Sequence, residues 1–204
     1  MRYNKLCHFT AIIFVFSTSI FVGCSNVGTL NLGSVALPET GSPLNRITPL
    51  TFIVLDFNDT RNSPDIIGGT ASPYTCRFRT DEKVGNIIAQ AIAGELVRNK
   101  HIVLSSVNYK DADIVIEGNI YDFWVDIEGG ADRVTGRVTA EISVKPCNNS
   151  SETFNKKYTG TYYHVSLKWD PKAVLKQAII NTVKEFTTDP DFLNVLKSAE
   201  KSKQ

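Results

Sequence analysis

One stretch, residues 133–145, alternates with a strict period of two. Val134, Val138, Ala140, Ile142 and Val144 share one parity; Arg133, Thr135, Arg137, Thr139, Glu141 and Lys145 share the other. Such a pattern describes a strand with one buried face and one wet face. Strands of this kind belong mainly to antiparallel sheets, because parallel sheets are usually covered on both sides. The chain is thereby committed to a sheet that needs something apolar laid over one face only.

The neighbouring segments supply more strands. Residues 51–57 (TFIVLDF) form a continuous apolar run between Pro49 and Asn58-Asp59-Thr60, which reads as a centrally buried strand. Pro64, Gly68-Gly69 and Pro73 then mark 61–79 as a long loop. Residues 101–105 read as a short strand. In 113–127 the apolar parity changes: Ile114, Ile116 and Ile120 lie on one phase, Phe123, Val125 and Ile127 on the other. A bulge at Gly118 or at Tyr121-Asp122 would absorb that shift. Phe154, Tyr158 and Tyr162 share a parity in 154–163, and Asn148-Asn149-Ser150-Ser151 before them reads as a hairpin loop.

Helical spacing accounts for the cover. Val84, Ile87, Ile88, Ala91, Ile92 and Leu96 make an apolar stripe along 81–98, with Thr80 as the expected cap and Asp81 and Glu82 at the positive end of the dipole. Gly85 and Gly94 inside it either permit close approach or are merely tolerated, at ~1 kcal/mol each against alanine. Asp170-Pro171 opens a second stripe through Leu175, Ala178, Ile179, Thr182, Val183 and Phe186. Asp189-Pro190 restarts the signal for a short last helix with Phe192, Val195 and Leu196. The expected fold is a two-layer α+β domain, a largely antiparallel sheet of about five strands with two amphipathic helices on one face.

The start of the chain has a different character. Arg2 and Lys5 precede a run of about 14 apolar or small residues that closes on Phe21-Val22-Gly23-Cys24. The run is shorter than the roughly 18 residues of a membrane-spanning helix, and Phe21 and Val22 do not give the A-x-A-like site of a plain secretory signal. The close resembles a bacterial lipobox, which implies a signal peptide at 1–23 and a lipid on the Cys24 thiol. Ser25, rather than an aspartate, then implies an outer-membrane destination, with the domain facing the periplasm. Gly, Ser, Asn, Thr and Pro dominate 25–49, so 24–49 is expected to be a flexible tether reaching roughly 25–30 Å, ahead of a single domain at 50–204. Leu30, Leu32, Val35 and Leu37 are the residues by which part of it could dock.

Cutting 1–23 from 204 residues leaves 181, enough for one domain with a real core. The mature chain carries 20 basic and 21 acidic side chains, a balance that gives no reason to expect nucleic acid or an anionic membrane surface as the partner. Cys76 and Cys147 remain, in what would be an oxidising compartment; one bridge between them is the simplest outcome, with two separate thiols as the alternative. No catalytic constellation is evident. His101 and His164 have no metal-ligand spacing, so no metal and no cofactor beyond the lipid is expected. Asp56, Asn58, Asp59 and Asp65 could hold calcium, although turn capping explains them more simply. Tyr121, Phe123 and Trp124 are the aromatic candidates for a partner surface, with core or sheet packing as the other use of such residues.

Several local features resemble the YajG-type family of bacterial lipoproteins. They are the lipobox cysteine, Leu30-Asn31-Leu32 with Pro38, Asp56-x-x-Asp59-x-Arg61, Ile67-Gly68-Gly69, the helix ending near Lys100, and Ala112-Asp113-Ile114-Val115-Ile116-Glu117-Gly118. The order of elements is also similar to that of the lipopolysaccharide-assembly lipoprotein LptE. The resemblance implies an envelope lipoprotein without known catalysis, in which only Cys24 has a role. With no catalytic set in the chain, a non-enzymatic domain anchored to the membrane by lipid, which binds or assembles envelope proteins, is expected. A factor handling lipid or glycan is the alternative.

Overall fold

The computed structural model describes residues 27–38, 41–70, 76–105, 108–128, 133–147, 153–165 and 170–202. The expected leader at 1–23, Cys24 and the expected loop at 148–151 lie outside them. The described residues form a mixed α+β fold with nine strands and three α-helices. The strands are β1 (Val27–Thr29), β2 (Thr51–Val54), β3 (Asn58–Asp59), β4 (Ile66–Thr70), β5 (Arg77–Arg79), β6 (Ile102–Val103), β7 (Ile114–Glu128), β8 (Arg133–Pro146) and β9 (Phe154–Val165). The helices are α1 (Val84–Arg98), α2 (Pro171–Thr187) and α3 (Pro190–Lys201).

One strand organises the sheet. Along one edge β7 pairs β8 antiparallel, and β8 in turn pairs β9. Along its other edge β7 receives three short parallel strands in succession: β2 at Ile114–Ile116, β3 at Asn119–Ile120 and β4 at Val125–Ile127. β6 extends β2, while β5 and then β1 extend β4. The sheet is therefore mixed: the long ladders are antiparallel as alternation required, and the short ones parallel. Five strands and two helices understate the fold. The missing strands are too short for periodicity to register, and β4 and β5 lie in what reads as a loop because Gly68-Gly69 is also a turn signal.

The phase change inside β7 is a bulge. Ile120 opposes Ala140 and Asp122 opposes Thr139, leaving Tyr121 as the extra residue. Ile114, Ile116, Ile120, Phe123, Val125 and Ile127 thus all reach the inner face, each at most 4% exposed. Val134, Val138, Ala140, Ile142 and Val144 of β8 join them, all fully buried. Over this face lies α2, whose Leu175, Ala178, Ile179, Val183 and Phe186 are likewise buried. Two glycines set how closely it lies. A Cβ at Gly160 would fall 2.3 Å from the Ala178 carbonyl, and one at Gly136 would fall 2.9 Å from the Val174 carbonyl. Thr182 Oγ1 accepts the Gly160 N–H at 3.0 Å, tying helix to strand.

Aspartates cap both C-terminal helices as the Asp-Pro pairs imply. Asp170 accepts from the Lys172 and Ala173 amides, and Asp189 from those of Asp191 and Phe192. Asp189 also takes hydrogen bonds from Lys156 Nζ at 2.6 Å and Tyr158 Oη at 3.1 Å. Burial favours its neutral form, yet these donors together hold the carboxyl below its usual range. The Phe186 and Phe192 rings, 4.2 Å apart, fill the corner between α2 and α3.

The described residues of the expected tether, 27–38 and 41–49, are part of the fold. Leu32 and Leu44 are fully buried, and Leu37 and Ile47 nearly so. Each such side chain gains roughly 1.5–3 kcal/mol by leaving water. Glu82 does not sit in the first turn of α1, which begins at Val84 without a side-chain cap. Its carboxylate instead accepts the Leu32 and Gly33 amides. Lys176 Nζ reaches the Ser34 carbonyl, and Glu200 accepts the Thr48 amide. Composition concealed this docking, because a few leucines spaced through polar residues show no period.

Candidate functional site

The inner face of the sheet is filled, so the surface on offer is the outer face of β7–β9 and the free edge of β9. Cross-strand pairs furnish that face in rows. Asp122 pairs with Arg137, and Glu117 with Lys145. Tyr121, thrown outward by the bulge, is 43% exposed. Its hydroxyl donates to Glu141 at 2.8 Å, and the Lys157 ammonium stands 4.0 Å from its ring centroid. The hydrogen bond to the Glu141 carboxylate, above all, raises the pKa of this phenol, keeping it a donor.

The three aromatics expected to form a partner surface are divided by the fold. Phe123 is fully buried in the core. This follows from the bulge, which returns it to the inner parity. The Arg61 guanidinium lies 5.7 Å from the Phe123 ring and donates to the Phe123 carbonyl at 3.1 Å. Arg61 itself is a structural hub: it holds Asp59 through Nε and Nη2 and also binds the Pro64 and Ile66 carbonyls. Asp59 is therefore engaged by an arginine. Asp65 lies 3.8 Å from Arg79. Among the described residues no group of three His, Cys, Asp or Glu side chains is placed to hold a metal ion.

Trp124 is half-buried beside a surface groove of about 490 Å³. Ser63, Gly69, Cys76, Arg77 and Asp126 share its walls. The Gly68-Gly69 pair is a strand element here and not a turn. A Cβ at Gly68 would lie 2.3 Å from the Val125 carbonyl, so the strand can approach β7 only without a side chain. An aromatic ring beside one carboxylate and one guanidinium can stack a ring and exchange hydrogen bonds with it.

Cys76 and Cys147 are both free. Cys76 donates its amide to Thr70, whose strand meets β7 at Ile127; Cys147 donates to Asp113, just ahead of the first residue of β7. At ~3.3 Å per residue the two ends of β7 stand roughly 40 Å apart. At that separation a bridge between them is out of reach in this fold, against the expected pairing. Sequence alone could not show that one long strand would separate them.

At the edge, β9 pairs β8 alone among the described strands, and Thr161–Val165 is exposed. Asn181 Nδ2 meets the Thr161 carbonyl from α2, so the helix covers part of the edge. Tyr163, one of the further aromatics that the sequence offers with Tyr158, Tyr162 and Trp169, is 64% exposed, and Val165, which no sequence pattern singles out, is 66% exposed. The position of Val165 at the far end of a strand edge is the missing information. Val27, at 47%, belongs with them and was read as tether.

Comparison with solved structures places this fold. Protein XCC0632 from Xanthomonas campestris, of the DUF330 family, superposes with a TM-score of 0.55 at 12% identity, covering 85% of this chain and 99% of that one. The fold is shared. Weaker likenesses include the PelC dodecamer from Paraburkholderia phytofirmans (TM-score 0.41, 15% identity, 71% of this chain and 93% of that one). Lipoprotein GNA1162 from Neisseria meningitidis is another (TM-score 0.37, 10% identity, 69% and 100%). These solved neighbours thus include a DUF330 protein and a bacterial lipoprotein; the YajG-type family and LptE are not among those named. No family model and no curated protein matches the sequence. No helix among the described residues is long and apolar enough to cross a membrane.

Proposed function

We propose that the chain is an envelope lipoprotein of YajG-type character, anchored in the outer membrane through a lipid on Cys24, whose domain is a non-catalytic docking module for envelope proteins. The observation that supports this most is the outer face of β7–β9. It presents Tyr121 on a bulge, beside the partly open β9 edge, while the inner face is filled by α2. Edge strands can take on a further strand from a partner, and exposed aromatics favour contact surfaces. A light-activated crosslinking residue at Tyr121 or Thr159 tests the reading in intact cells. Discrete protein adducts are expected from these sites and none from Lys197 on α3. Adducts equally abundant at Lys197 would remove the basis for a dedicated face.

The groove at Trp124 supports a second reading, an accessory factor that handles an envelope glycan. Trp124 would stack on a sugar ring while Asp126 and Arg77 bond its hydroxyls. Retention on immobilised peptidoglycan or lipopolysaccharide that Trp124→Ala abolishes would favour it over protein docking.

A further inference from the structure

The register of the sheet says which end of the domain lies nearest to Cys24. Reading across the strands, Val27 pairs Arg77, Arg77 pairs Gly69, Gly69 pairs Asp126, Asp126 pairs Thr135, and Thr135 pairs Tyr163. One row thus crosses six strands, about 24 Å at ~4.8 Å per strand. It lies at the end of the sheet where Glu128, Arg133 and Val165 form the last row of β7–β9. Val27 opens the first strand, only three residues after Cys24. A chain spans at most ~3.6 Å per residue, so Val27 stands within about 11 Å of Cys24 whatever path the chain takes.

The same end collects exposed apolar side chains. Val165 and Tyr163 have the highest exposure among the large apolar residues described, and Val27 and Tyr162 are 47% and 38% exposed. The other exposed ones lie elsewhere: Val97 on α1, Tyr121 in the middle of β7, and Ile102 and Tyr109 toward the opposite end. Arg133 stands 5.5 Å from the Tyr163 ring, and Arg77 is exposed beside Val27. Tyrosine rings and arginine side chains suit the boundary between headgroups and acyl chains, where one end is apolar and the other wet.

We propose that this end of the sheet, with Val27, Tyr162, Tyr163, Val165, Arg77 and Arg133, rests against the phospholipid surface that holds the Cys24 lipid. The inference relies on the lipid anchor proposed above. Asp126 and Glu128 offset Arg77 and Arg133 in charge, so the contact is made by insertion of side chains and is insensitive to salt. β7 then stands up from the membrane, and the outer face with Tyr121 points sideways into the periplasm.

The full lipidated chain, with Cys76→Ser and Cys147→Ser, is reconstituted into phosphatidylethanolamine–phosphatidylglycerol vesicles. A fluorophore is attached in turn through Tyr163→Cys, Val165→Cys or Ile102→Cys, and nitroxide-bearing lipid is added. Ile102 pairs Thr51 near the start of β7, so it serves as the distant site. Quenching is expected at 163 and 165, at low and high salt, and none at 102. Protein that floats with the vesicles but is quenched at neither 163 nor 165, or equally at 102, overturns the orientation alone. Protein that fails to float and takes up no labelled palmitate overturns the anchor, and the orientation with it.

Discussion

At the scale of single residues, His101 shows how burial turns a common side chain into a pH-dependent one. It is 4% exposed, accepts the Leu50 amide on Nδ1 at 3.2 Å, and meets Phe52 edge-on at 5.2 Å. Burial lowers its pKa, and a smaller effect of the Leu44 backbone opposes this. A lowered pKa means that the unfolded chain takes up the proton first. Stability from this group is therefore full above about pH 6.5, the unfolded value, and declines as the pH falls below it. Urea midpoints measured between about pH 5 and 8 should fall on the acid side, and less so in His101→Gln, which keeps an acceptor but does not titrate. From sequence, His101 raises only the question of a metal ligand, and its spacing answers against one. Nothing local indicates that it braces Leu44 and Leu50 against the sheet, because those partners lie some 50 residues away along the chain.

At the scale of elements, closeness of approach decides which glycines matter. Gly160 and Gly94 look alike in sequence, yet a Cβ at Gly160 meets the α2 backbone and one at Gly94 meets nothing within 4 Å. Gly160→Ala is expected to lose about 1–3 kcal/mol by overpacking α2 against β9. Gly94→Ala should gain up to about 1 kcal/mol from helix propensity. Paired denaturation curves check both signs, and equal effects would contradict the packing described. The long elements were legible because their patterns are local: the stripe of α2, the alternation of β8, and a phase shift in β7 that the Tyr121 bulge explains. β3, β4 and β5 were not, since strands of two to five residues gain their identity from the neighbour they pair with. Phe123 is the instructive error. Its chemistry suits a surface anchor, and only the bulge beside it decides that it turns inward.

At the scale of the whole molecule, the length of β7 separates the two thiols. Under non-reducing conditions the unfolded chain, cleaved and lipidated at Cys24 as proposed, should take two maleimide labels, at Cys76 and Cys147, and none should be hidden by a bridge. Mass spectrometry after labelling reads this directly; a chain that accepts label only after reduction would contradict the topology. The organisation of the sheet was the least legible feature, because four strands converge on β7 from both directions along the chain. That convergence also sets an order of events. Before residue 114 has been made, β2, β3 and β4 have no central strand to pair with, and the ladders β1–β5, β4–β5 and β2–β6 number only two or three residue pairs each. The β7–β8–β9 meander, by contrast, closes on itself through neighbours in sequence. The β7–β8–β9 half is therefore expected to form first and the N-terminal strands to dock late, at the loop-closure cost of distant pairing; pulse-labelled hydrogen exchange during refolding, with β9 amides protected before those of β2, checks this. Throughout that wait Leu32, Phe52 and Ile67 stay in water, which makes the unfinished chain the kind of client that holding chaperones protect.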